Sequence, residues 1–148
     1  MHTPSIRTLA LCIFRRNNEI LVAEGYDSRK KETFYRPLGG GIEFGEYSWD
    51  AVRREIREEI REEIKDLSFL GATENIFEYE GVPGHEVIFL FEGAFTRNHV
   101  YQQQELTGIE DNGEELKISW KPIEAFTKGK LILYPEGLTE MLDAIPVI

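Results

Sequence analysis

Cysteine is nearly absent: Cys12 is the only one in 148 residues. An internal disulfide and a cysteine-based zinc site are therefore excluded. The surrounding run, LALCIF, is apolar and marks Cys12 as a small buried residue, not a reactive thiol. Long hydrophobic runs are missing too. No apolar stretch approaches the ~18 residues of a membrane span, and the N-terminus lacks the charged-then-apolar pattern of a signal peptide. A cytoplasmic location is the expectation. Positive charge is in deficit, with 17 basic against 27 acidic residues and a net charge of −10. Such a surface repels nucleic-acid duplexes and anionic membranes. A small anionic molecule can still bind where metal ions and local Arg or Lys residues neutralise it. Linkers and low-complexity segments are also absent, and the sole internal echo is REEI/REEI. At 41% apolar content, residues 1–148 read as one domain with its own core.

What the chain does have is concentrated between Gly39 and Glu62, GGGIEFGEYSWDAVRREIREEIRE. A glycine-rich turn, Pro37 to Gly41, leads towards a helix with Ser48 as its N-cap and Asp50 in its first turn. Glu55, Glu58, Glu59 and Glu62 follow at i, i+3, i+4, i+7, which places all four on one helical face. Like charges at that spacing repel by a few tenths of ~1 kcal/mol per pair. A divalent cation compensates them, because hard cations such as Mg²⁺ take oxygen ligands. Val52, Ile56, Ile60 and Ile64 step along the opposite side and face a core. A Glu/Arg-rich helix alone reads as a solvated, salt-bridged face; the glycine turn at a fixed distance before it argues for a site.

These residues resemble the Nudix hydrolase box. That box runs Gly, five residues, Glu, seven residues, then Arg-Glu-apolar-any-Glu-Glu-any-Gly-apolar. Gly40, Glu46, Arg54, Glu55, Ile56, Glu58 and Glu59 fall on its positions in register, so every carboxylate is present. Arg61 and Glu62 depart from it, standing where the pattern has glycine and an apolar residue. The resemblance implies an α/β/α sandwich with a mixed β-sheet between helices. It implies hydrolysis of a diphosphate linkage in a nucleoside diphosphate derivative or nucleotide, with Mg²⁺ or Mn²⁺ as cofactor. It assigns Glu55, Glu58 and Glu59 as metal ligands and catalytic groups, the Gly39 carbonyl as a further ligand, and Arg54 as the group that holds a carboxylate in place. The general base is left open among the box glutamates and Glu105, Glu110, Glu114 and Glu115. Tyr79 stands where dinucleoside-polyphosphate hydrolases of the family tend to carry a tyrosine, and is a candidate to stack on a base. The implied partner is a small nucleotide or diphosphate, with no nucleic-acid duplex and no membrane; a homodimer is left open. A Nudix-fold module that binds a nucleotide without cleaving it is the alternative, and Arg61 is the one box feature in its favour.

Around the box, strands are expected at 6–14 and 19–24, joined at Asn17-Asn18, and a short strand at 34–36. Gly25 to Thr33 reads as a polar loop whose Arg29, Lys30 and Lys31 are mostly solvated, and Arg36 is the better phosphate-binding candidate. Residues 66–79 and 85–96 read as a hairpin turning at 81–84, with His85 a strand-end residue and not a base. Residues 97–113 read as a loop and 114–120 as a strand. A helical turn at 122–126 and a core-facing helix at 135–145 close the chain. Without glycine at position 61 the central helix is expected to run on to Ile64 or Lys65, bringing Glu62 onto the acidic face.

Overall fold

Alternation in β1 (Ile6–Arg16) divides the molecule into two layers. Leu9, Leu11 and Ile13 face one way and Ala10, Cys12 and Phe14 the other, all buried. In the computed structural model, which describes residues 4–144, β1 is the centre of a seven-stranded mixed sheet. The strand order is β4-β5-β1-β3-β2-β7-β6, made with β2 (Glu19–Asp27), β3 (Glu32–Gly41), β4 (Ile64–Tyr79), β5 (Val82–Phe95), β6 (Glu105–Ile109) and β7 (Glu115–Pro122). β1 runs parallel to β5 and antiparallel to β3.

The helix α1 (Ser48–Ile60) covers one face, burying Ala51, Val52 and Ile56 against Ala10, Cys12, Phe14 and Trp120. On the other face α2 (Ile123–Thr127) and α3 (Leu138–Ala144) bring Phe126, Leu138 and Leu142 against Leu9, Leu11, Ile13 and Val22. This is the α/β/α sandwich with a mixed sheet. Cys12 is fully buried, and burial raises its thiol pKa further above its ordinary value, with Glu92 adding to the shift. No helix among the described residues is long and apolar enough to cross a membrane.

Several element boundaries differ from the sequence reading. The glycines are not a turn: Gly39, Gly40 and Gly41 are the end of β3, paired with Leu11, Ala10 and Leu9. The expected loop 25–33 shrinks to the tip at 28–31, because β2 and β3 stay paired out to Asp27 and Glu32. The β4–β5 turn is Glu80-Gly81, with φ of 53° and 77°, and not 81–84; two positive φ values suit a two-residue hairpin. The expected loop 97–113 contains a 3₁₀ turn (Asn98–Gln102) and β6, which pairs with β7. Tyr47, not Ser48, is the N-cap residue of α1. α3 begins at Leu138, and Ile145 lies outside the described residues.

The main correction is at the end of α1. The helix stops at Ile60, and Arg61 takes φ 56°, ψ 40°, its N–H donating to the Arg57 carbonyl at 2.9 Å. The left-handed conformation costs a non-glycine residue ~1–2 kcal/mol. Tertiary contacts beyond the helix offset that cost. Glu62, only 4% exposed, leaves the acidic face and accepts from Arg97 Nε and Nη2 at 3.1 and 2.8 Å, with His99 Nε2 at 3.0 Å. Ile64 is buried in β4 opposite Phe95 and does not continue the helical step. A helix running on to Lys65 would lose both.

Candidate active site and metal centre

Bare glycines bring the acidic face of α1 onto β3. At Gly39, φ is 142° and a Cβ would lie 2.1 Å from the Ala10 carbonyl oxygen, so this position tolerates no side chain. A Cβ on Gly40 would lie 2.4 Å from the Glu55 carboxyl carbon. The space it leaves empty is where that carboxylate sits. The Gly39 N–H donates to Glu59 Oε1 at 3.2 Å.

Arg54 organises the acids. Its Nε and Nη2 donate to the two oxygens of Glu46 at 2.8 and 3.0 Å, a bidentate pair that fixes the guanidinium plane. Nη1 then reaches Glu55 Oε1 at 3.0 Å and Glu58 Oε2 at 3.2 Å, and Nη2 also reaches the Gly41 carbonyl at 2.8 Å. Glu46 is held below its usual pKa, chiefly by the Arg54 hydrogen bonds. Glu55 and Glu59 shift the other way. Burial raises Glu55, and the nearby Asp111 adds to it against the pull of Arg54. Burial pushes Glu59 up to about 8, opposed by Arg36 and reinforced by Glu55. Glu58 is exposed.

Asp111 is an acidic site residue that the sequence reading missed. Carboxylate oxygens of Glu55, Glu58 and Asp111 all lie within 4.8 Å of one another. The β6–β7 hairpin carries Asp111 there, its turn closed by Glu110 N–H to Glu114 O at 2.8 Å and Gly113 N–H to Glu110 O at 2.8 Å. β6 packs directly on α1: a Cβ on Gly108 would lie 3.0 Å from the Glu59 carbonyl oxygen. The one signal for Asp111 in the sequence is the turn tripeptide Asp111-Asn112-Gly113, flanked by Glu110 and Glu114. An all-oxygen donor set of this density fits Mg²⁺ or Mn²⁺.

One cavity borders the cluster, and a second shares part of its wall. The first, of about 270 Å³, is bordered by Arg36, Gly39, Glu55, Glu59 and Asp111. It shares Arg7, Arg36, Glu110 and Asn112 with a larger one of about 450 Å³ that contains Tyr79 and Phe34 in its wall. Arg7 also borders a third opening, beside Arg54 and Glu58. It is a second basic residue at the site that the sequence did not single out. Of the basic loop only Lys30 borders the larger cavity, near Asp27 at 4.0 Å. Glu110 and Glu114 line it, whereas Glu105 and Glu115 are in β6 and β7 and line none of the three. His85 is in β5 and lines none of them.

The NUDIX domain family model matches residues 4–142. The chain belongs to the Nudix family. Among solved structures it is similar to a MutT NUDIX hydrolase from Burkholderia pseudomallei, at 16% identity over 96% of this chain and 99% of that one, TM-score 0.64. It is also similar to a NUDIX hydrolase from Nitrosomonas europaea, at 13% identity over 95% and 87%, TM-score 0.63. A third likeness is to a mutator MutT protein from Bacillus halodurans, at 19% identity over 93% and 80%, TM-score 0.59. At these identities the likeness is one of fold. No curated protein matches the chain.

Proposed function

We propose that this protein hydrolyses a diphosphate linkage in a nucleoside diphosphate derivative or nucleotide, in a reaction that requires Mg²⁺ or Mn²⁺. The observation that carries this reading is the convergence of Glu55, Glu58 and Asp111 from two separate elements to within 4.8 Å. Mutual repulsion makes such a cluster costly unless a cation shares it. When bound, the cation neutralises phosphoryl oxygens and makes a water more acidic.

The chain's own residues would do the rest. The Gly39 carbonyl would complete the oxygen set. Arg54 holds Glu55 and Glu58 in a fixed orientation through its anchor on Glu46. Arg36 and Arg7, at the junction of the two cavities, would neutralise the phosphates of the substrate. Water attacks one phosphorus, the anhydride P–O bond breaks, and the other phosphate leaves with the bonding electrons. The proton of the attacking water goes to a carboxylate; Glu59 Oε2 is suited to it, since Gly39 engages Oε1.

The competing reading is a module that binds nucleotide without cleaving it. Its support was Arg61, and Arg61 adopts the left-handed geometry a glycine would take there. Incubation of a nucleotide panel with Mg²⁺ tests the proposal. Release of phosphate or mononucleotide, abolished by chelator, is expected. Binding of nucleotides without release from any of them would overturn hydrolysis in favour of the binding module.

A further inference from the structure

The larger cavity has walls of a different character from the carboxylate cluster. Phe34, Phe77, Tyr79 and Tyr134 supply its aromatic surface. Two of these rings lie against bare backbone: a Cβ on Gly25 would be 2.4 Å from Phe34 Cζ, and one on Gly84 would be 2.3 Å from Phe77 Cζ. Phe34 also meets Tyr79 and Tyr134 edge-on, at 5.9 and 5.3 Å between centroids. Rings fixed in this way form a preset slot for a planar group.

The polar lining is unusually rich in acceptors. It holds seven carboxylates against three basic residues, and two of those bases, Arg7 and Arg36, border the phosphate side as well. Some of the acids are occupied. Asp27 accepts backbone N–H groups from Arg29, Lys30 and Glu80, and Glu32 accepts from Tyr134 Oη at 3.0 Å. Glu86 differs. Its side chain is 14% exposed and faces Arg7 at 3.9 Å, too long for a hydrogen bond. In the sheet it is paired with Arg7 on one side and Asn75 on the other, so the three stand in a row across β1, β5 and β4. Asn75, 7% exposed, is the cross-strand neighbour of Glu86 and lines the same cavity. The Asn75 amide adds a carbonyl oxygen, a second acceptor beside the carboxylate. The cavity therefore offers adjacent acceptors, and an anionic second moiety would be repelled.

We infer that this cavity is a base-selective subsite that takes a nucleobase bearing an exocyclic amino group, with Glu86 as the specificity-determining acceptor. The inference rests on the proposed hydrolysis of a nucleotide and narrows its substrate class. A nucleoside di- or triphosphate with an amino-bearing base fits, with its phosphates over Arg7 and Arg36 and its ring among the four aromatics. A dinucleoside polyphosphate does not, since its second half would bring further phosphates towards the acidic lining. A carboxylate facing the exocyclic position accepts from the amino group of cytosine or adenine and repels the carbonyl oxygen that uracil or hypoxanthine has in its place.

The test compares adenine, guanine and cytosine nucleotides with their uracil and hypoxanthine counterparts, on the wild type and on Glu86→Gln. Two readouts are used: kcat/KM with Mg²⁺, and metal-free binding of the bare nucleosides by calorimetry or tyrosine fluorescence. Wild type is expected to favour amino-bearing bases by about tenfold or more, and Glu86→Gln to bring the two groups within about threefold of each other. Phe34→Leu, checked for folding by circular dichroism, is expected to weaken all bases alike. A wild-type enzyme indifferent to the base, a preference that survives Glu86→Gln, or faster turnover of dinucleoside polyphosphates would overturn the inference while leaving hydrolysis intact. Base-selective nucleoside binding that Glu86→Gln removes, without turnover of any nucleotide, would support the subsite and overturn hydrolysis instead.

Discussion

The backbone N–H of Gly39 donates to Glu59 Oε1 at 3.2 Å, joining the end of β3 to the acidic face of α1 across 20 residues of chain. Glycine is required at position 39 by β1 beside it, where a Cβ would lie 2.1 Å from the Ala10 carbonyl oxygen. The hydrogen bond holds the Glu59 carboxylate against the glycine backbone, beside the cavity that Glu55 and Asp111 also border.

Gly39→Ala is expected to damage the fold. The new methyl would sit 2.1 Å from the Ala10 carbonyl oxygen at φ 142°, where backbone and not a flexible side chain must move. A loss on the order of 3 kcal/mol is expected, read as a lower denaturation midpoint in urea at unchanged slope. A wild-type midpoint would show that β1 and β3 can separate without cost.

Gly40→Ala should act on the site instead. Its methyl meets the end of Glu55, which can swing away. Stability should fall by about 1 kcal/mol or less, while Mg²⁺ binding measured by calorimetry weakens markedly. Unchanged Mg²⁺ affinity would mean that Glu55 does not contribute to the site.

Glu58→Gln and Glu59→Gln are expected to lower kcat with Mg²⁺ by on the order of a hundredfold or more, since the first removes an oxygen from the acidic cluster and the second removes the proposed proton acceptor. Full turnover by both variants, or by wild type in excess chelator, would contradict the proposed chemistry.

Mg²⁺ should raise the melting temperature of the wild type. At a hundred times Kd, a ligand specific to the native state adds about 2.7 kcal/mol. Asp111→Asn should blunt the effect, because Asp111 is within 4.8 Å of Glu55 and Glu58. Equal shifts for both proteins in differential scanning calorimetry would exclude Asp111 from the metal site.

Arg61→Gly is expected to stabilise the protein by about 0.5–1 kcal/mol, because glycine occupies φ 56° without the side-chain penalty. Metal dependence should be unchanged. A destabilised variant would mean that the Arg61 side chain contributes contacts worth more than the strain.

The box residues were legible because their function imposes local spacing. Glu55, Glu58 and Glu59 lie on one turn-and-a-bit of helix, a fact of period 3.6 that needs no tertiary information. Strands β1, β2 and β7 were visible for a similar reason, as runs of β-formers bounded by turn residues. β6 was not: Glu105–Ile109 is five residues at the edge of the sheet with little apolar content, and its pairing with β7 alone makes it a strand. Asp111 was lost with it, since only that hairpin carries the turn to α1.

The sequence by itself determined the acidic helix, the need for small residues before it, the apolar faces that form the two core layers and the family pattern of the box. Each of these follows from periodicity or side-chain size within a short window. Tertiary structure decided where α1 ends, which carboxylates meet, and what the second cavity is made of. Local propensity favoured continuing the helix through Arg61, but Glu62 gains Arg97 and His99, and Ile64 gains the core beside Phe95, only if the chain turns there. The Asp111 cluster and the Arg7–Glu86–Asn75 row join residues far apart in sequence. Strand register and hairpin packing set such meetings, and no local window of sequence contains them.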